Sequence, residues 1–254
     1  GRGQAEVPAG LTDVRAIAAG GSHNLAVKAD GSVVAWGNNS SGQTTVPAGL
    51  TDVTAVAAGP SFSLALRGDG TVVGWGSNTY GETTPPAGLH SVVALANGAS
   101  FGLALRSDGT VVGWGLDNYG QVGALQSLTG VTAVAGGTFH SLALLSNGTV
   151  VAAGYGGQGA TSVPANLSGV TAIAAGNSHS LAVVAYTGAP TVTGAADRAP
   201  NAAGWYSDSV TVSWTATDDV EGPLPAPPAT VQTSESDGSG QPAQSNPVCD
   251  RSGN

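Results

Sequence analysis

Four histidines, sixteen carboxylates and a single cysteine, Cys249, are the residues of this 254-residue chain with the means to ligate a metal or move a proton. His23, His140 and His179 fall on one phase of a 39-residue spacing, and Phe62 and Phe101 take the places between them. Zinc requires two or three imidazoles converging on one point. A position shared by histidine and phenylalanine is filled for bulk, so packing rather than ligation is expected. Asp30, Asp69 and Asp108 each precede a glycine, where turn geometry accounts for the residue type. Asp218, Asp219 and Glu221 offer oxygens of the kind calcium takes, but together they read as a solvated acidic loop. Cys249 has no neighbouring base to activate it. No G-x-S-x-G, H-E-x-x-H or phosphate-binding glycine loop occurs in a strand–helix context. The expectation is a non-enzymatic protein with no metal and no cofactor.

What remains for binding is surface. Tyr80 and Tyr119 occupy the same place in adjacent repeats, with Asn78 and Asn118 close to them in sequence. Aromatic and amide side chains presented together suit a glycan or peptide ligand.

The elements that must carry these residues follow from the repeat itself. Trp36, Trp75 and Trp114 are spaced by 39 residues, as are Gly20, Gly59, Gly98, Gly137 and Gly176. The turn pairs Asp30-Gly31, Asp69-Gly70, Asp108-Gly109 and Asn147-Gly148 keep the same register. One unit, residues 47–85, places Asp69-Gly70 between the apolar runs SLAL and TVVGW, a hairpin signal. A strand TAVAA precedes the hairpin, and a short fourth strand, ETTP, is expected after it. Leu64 and Leu66 flank Ala65, so the runs are apolar on both faces but small on one, as for strands covered on both sides. About four short antiparallel strands per unit describe a propeller blade. The tryptophans are expected to act as wedges between blades and not as a ligand-stacking row.

The segment GGSHNLAVKADGSVVAWGNNSSGQ, Gly20 to Gln43, recurs at Gly59, Gly98 and Gly137. It resembles the repeat of the regulator of chromosome condensation (RCC1) family, in the short bacterial form with a leading Pro-Ala-Gly-Leu. The resemblance covers residues 1–185 and implies an all-β, seven-bladed propeller. Here about four and a half blades are present. GRGQAEVPAGL at the start matches SSGQTTVPAGL at 41–50. The chain is therefore expected to be part of a longer protein whose remaining repeats are its partners. The alternative is that residues 1–7 complete the last half-unit and close a small ring.

Residues 186–189 read as a linker. Residues 190–254, with GWYSDSVTVSW and a closing C-D-x-x-G-N, resemble a bacterial immunoglobulin-like module, truncated before its last strand. Val210, Val212 and Trp214 alternate with Thr211 and Ser213, the pattern of a half-buried strand.

Charged residues make up only 9% of the chain, and the net charge is −9. Residues 1–185 hold five basic and eight acidic groups, and residues 186–254 hold two and eight. Neutralising phosphates needs clustered Lys and Arg, so no nucleic-acid partner is expected. No apolar stretch is long enough to span a membrane as a helix. The function expected is a binding or scaffold region of a larger secreted or cell-surface bacterial protein, meeting a protein or glycan through its loops. One alternative is an accessory domain of an extracellular enzyme. Another, guanine-nucleotide exchange, rests on the family resemblance alone, and the uninterrupted spacing leaves no room for a projecting wedge.

Overall fold

The structure is a computed structural model that describes residues 2–185, 191–197, 210–218, 222–223 and 230–232. By its internal contacts the chain divides into two compact units, Gly1–Ala185 and Tyr186–Asn254.

The first unit is built from small antiparallel sheets in sequence order. They are β1 (Val14–Ala19), β2 (His23–Lys28) and β3 (Val33–Gly37); β4 (Val53–Ala58), β5 (Phe62–Arg67) and β6 (Val72–Gly76); and β7 (Val92–Asn97), β8 (Phe101–Arg106) and β9 (Val111–Gly115). A fourth sheet has β10 (Val131–Gly136), β11 (His140–Leu145) and β12 (Val150–Gly154), and a fifth has only β13 (Val170–Ala175) and β14 (Ser180–Val184). The second strand is central in each three-stranded sheet. The helical content among the described residues is one 3-10 turn, Gly123–Leu125.

The hairpins close at the expected pairs. In the first, Lys28 N donates to Ser32 O and Gly31 N to Lys28 O, both at 2.9 Å. Only Gly31 takes a left-handed conformation, φ +79°, which makes this a turn with a glycine bulge rather than a two-residue loop. Asp30 Oδ1 accepts the Ser32 amide at 2.9 Å and holds the bend.

The expected fourth strand is absent. The segment 82–85 runs as turn and irregular chain, because its backbone groups are committed elsewhere. Thr83 N donates to the Asn78 side chain at 3.0 Å, and Thr84 N donates to Gly81 O at 3.0 Å. Glu82 O is taken by the next unit's Trp114 at 2.8 Å. Side chains and turns have replaced a strand ladder.

Packing between sheets explains the large-small alternation. Leu25 and Val27 of the first sheet meet Ala65 and Trp75 of the second. Leu64 and Leu66 of the second meet Ala104 and Trp114 of the third, and Leu103 and Leu105 of the third meet Ala143 and Ala153 of the fourth. Where Ala153 replaces tryptophan, Leu125 from the 3-10 turn and Val122 just before it join the cluster. The first strands end around one axis, where Gly20, Gly59, Gly98, Gly137 and Gly176 all line a cavity of about 280 Å³. These sheets are arranged as propeller blades.

The fifth sheet stays two-stranded, and Leu181 and Val183 on it are 58% and 59% exposed, so residues 2–7 do not complete it. Gln4 O accepts from Asn24 Nδ2 at 2.6 Å and from Trp36 Nε1 at 3.2 Å, which ties this segment to the first blade. The small-ring alternative is corrected by the open fifth sheet.

In the second unit, β15 (Thr191–Ala196) pairs antiparallel with β16 (Val210–Asp218), which also pairs with β17 (Gly222–Pro223) and β18 (Thr230–Gln232). Ser213 and Thr215 are exposed. Asp219, Glu221 and Cys249 lie outside the described residues, as does the closing motif through Asn254.

Candidate functional site

The repeat-phased residues form links between blades. Ser63 Oγ donates to Gln43 O at 2.8 Å, and Trp75 Nε1 donates to the same carbonyl at 2.9 Å. His23 Nε2 lies 3.0 Å from Ser63 Oγ. The single hydroxyl proton is spent on Gln43, so the imidazole must be the donor. That fixes the Nε2–H tautomer and leaves Nδ1 as a bare, buried lone pair. His140 repeats the arrangement: it lies 3.1 Å from Ser180 Oγ, which donates to Ala160 O at 2.6 Å. Burial lowers the pKa of both histidines, so both are neutral. Each ring, like Phe62 and Phe101, covers the glycine that ends the preceding strand, and a Cβ at Gly20, Gly59, Gly98 or Gly137 would collide with it. His179 stands equally over Gly176. His23 belongs to the first blade and His140 and His179 to the fourth and fifth, and no cluster of three metal-ligating side chains exists among the described residues.

Trp75 and Trp114 are 7% and 6% exposed. Trp36 is half-buried. Their indole N–H groups are all used on the preceding segment's carbonyl. Asp30, Asp69 and Asp108 are held below the usual carboxylate range, first by the Ser32, Thr71 and Thr110 hydroxyls and then by the backbone N–H of those residues. They serve turns.

The loop residues behave differently from one another. Asn78 accepts from Thr83 N and donates to Thr84 Oγ1 at 2.9 Å, so its amide closes its own loop. Asp117 does this work in the next blade, accepting from Val122 N at 2.7 Å. Asn118 and Tyr80 are exposed. The described ring contacts do not join Tyr80 to Tyr119. Tyr119 instead meets Phe139 edge-on with centroids 5.8 Å apart, and Tyr155 at 5.2 Å. All three are 40–52% exposed.

Phe139 and Tyr155 wall a groove of about 200 Å³ between the fourth and fifth blades, together with Thr138, Gln158, Asn177 and Ser178. Sequence reasoning did not single these residues out. The signal was present as departure from the repeat: Phe139 stands where the other units hold Ser22, Ser61, Ser100 and Ser178, and Tyr155 where they hold Asn38, Ser77 and Leu116. A framework does not need an exposed aromatic at either place. The two departures lie 16 residues apart in sequence, and pairing of β11 with β12 sets His140 opposite Gly154, so it brings them together.

Residues 14–43, 53–82, 91–121 and 131–160 match the regulator of chromosome condensation (RCC1) repeat. The chain carries four RCC1 repeats. Similar solved structures are RCC1-like propellers. Prp20p of Saccharomyces cerevisiae, described with its binding to Gsp1p and histones, is 20% identical with a TM-score of 0.56, over 65% of this chain and 54% of that one. The ectodomain of the receptor kinase CR4 of Physcomitrella patens is 23% identical with a TM-score of 0.56, over 68% and 50%. Human WBSCR16 is 17% identical with a TM-score of 0.51, over 80% and 61%. This chain spans about half the length of the first two structures. A comparison with curated proteins finds no match. At these identities the shared property is the RCC1 fold, and fold alone does not fix function.

Proposed function

We propose that this RCC1-repeat chain is a non-catalytic binding scaffold, part of a larger secreted or cell-surface bacterial protein, that engages a protein or glycan through its propeller loops. The observation that carries this reading is the exposed cluster Tyr119, Phe139 and Tyr155. Aromatic groups clustered at a surface are characteristic of recognition sites. The titratable groups of the propeller support the same conclusion, since its repeat-phased histidines and turn aspartates are occupied by packing and turns. The scarcity of basic residues disfavours a nucleic-acid partner. A secreted setting and an immunoglobulin-like identity for residues 190–254 rest on the sequence resemblance.

Screening the full chain against a glycan array and a displayed peptide library tests this function. A ligand bound by the wild type and lost by Tyr155→Ala is the expected result. Absence of any ligand in both formats, or equal binding by the variant, would overturn it.

A further inference from the structure

We propose that the groove between the fourth and fifth blades is a binding subsite for one uncharged pyranose unit of a glycan. This deepens the scaffold reading above and depends on it.

Three observations point to that ligand. The first is size: about 200 Å³ falls below the range typical of sites for drug-sized molecules, ~300–1,000 Å³, and suits a single ring. The second is the combination of lining groups. Phe139 and Tyr155 supply rings for the C–H face of a sugar, while Thr138, Gln158, Asn177 and Ser178 supply hydroxyls and amides for its rim. The Thr138 hydroxyl donates to Asn177 Oδ1 across the blade boundary, which leaves the amide's N–H groups for a ligand. Hydroxyl-rich ligands need donors and acceptors side by side, and amides provide both.

The third observation is the charge. No carboxylate, lysine or arginine lines the groove. The one imidazole in its wall, His140, is buried, hydrogen-bonded to Ser180 and neutral. An acidic sugar or a charged peptide would find no counter-charge there, and a buried unpaired charge is costly. Tyr119 contacts both aromatic walls, and rings already held by such contacts lose less side-chain freedom on binding.

The test is an NMR titration of the full chain with cellotetraose, xylotetraose, mannotetraose and chitotetraose, with tetragalacturonate as the charged comparison. Expected is saturable binding of at least one neutral oligosaccharide in the millimolar range, insensitive to salt. Tyr155→Ala and Phe139→Ser should each weaken it at least tenfold, and Tyr80→Ala should leave it unchanged. Phe139→Ser restores the residue held by the other four units, so folding is retained and the variant isolates the groove. The inference is overturned if none of the four binds, if binding survives both substitutions, or if only tetragalacturonate binds and salt abolishes it. A displayed peptide that binds through Tyr155 when no sugar does would overturn the pyranose assignment while leaving the scaffold function standing.

Discussion

At the residue scale, the histidines illustrate how a chemically versatile side chain is consumed by packing. His23 is 1% exposed, donates to Ser63 and has no partner for Nδ1. Protonating it would place a charge on that bare nitrogen. Its folded pKa is therefore below the unfolded value of 6.5, and the unfolded chain binds more protons just below that pH. Stability is full above pH 6.5 and falls as the pH drops through the window between the unfolded and folded values. His140 contributes in the same direction. Phenylalanine holds this position in the second and third blades, and Ser141 still bonds Gln121 O opposite Phe101. The double variant His23→Phe, His140→Phe is thus expected to fold and to show a smaller drop in melting temperature between pH 7.5 and pH 5.5 than the wild type. Equal drops would show that other groups carry the acid sensitivity.

At the element scale, each first strand begins from a left-handed residue. Asp13, Asp52 and Ser91 have φ of 59°, 57° and 58°, and Gly130 and Gly169 hold the same place in the fourth and fifth blades with φ of 68° and 65°. The register shifts immediately after, between Val14 and Ala16 in the first sheet and at matching positions in the others. A residue with a Cβ is disfavoured in that conformation by about 1–2 kcal/mol, and aspartate tolerates it better than serine. Ser91→Gly is therefore expected to stabilise the protein, by up to ~1 kcal/mol after the greater freedom of glycine in the unfolded chain is subtracted. Denaturant unfolding should move its midpoint upward with an unchanged slope. A downward shift would mean that the serine side chain contributes more than the backbone strain costs.

For the whole molecule, the two ends of the blade series differ from its interior. Leu181 and Val183 are 58% and 59% exposed, whereas their equivalents Leu64, Leu66, Leu103 and Leu105 are at most 4% exposed under the next blade. Ile17, on the opposite end, is 76% exposed. Contiguous apolar surface of this kind favours association, and interior blades show that these two faces are complementary to one another. Self-association of the chain at tens of micromolar is expected in sedimentation velocity, with Leu181→Lys, Val183→Lys shifting it towards monomer. A wild-type monomer at that concentration would show that these faces do not associate.

Period, polarity and punctuation were all determined locally. The glycine framework, the Asp-Gly turns and the leucine-alanine alternation each act within a few residues, so the sequence alone determined small antiparallel sheets stacked large face on small face. The fate of segment 82–85 was not local: its amide hydrogen bonds and Trp114's claim on Glu82 O depend on how one blade meets the next. The same holds for Gln4, which looks the same in sequence whether it closes a ring or lies on the first blade. The binding surface shows the difference most plainly. Tyr80 and Tyr119 match in sequence, yet the ring contacts join Tyr119 to Phe139 and Tyr155. Repeat phase places residues at equivalent points on different blades, a whole blade apart. Strand pairing and the boundary between blades set which side chains touch, and both are tertiary.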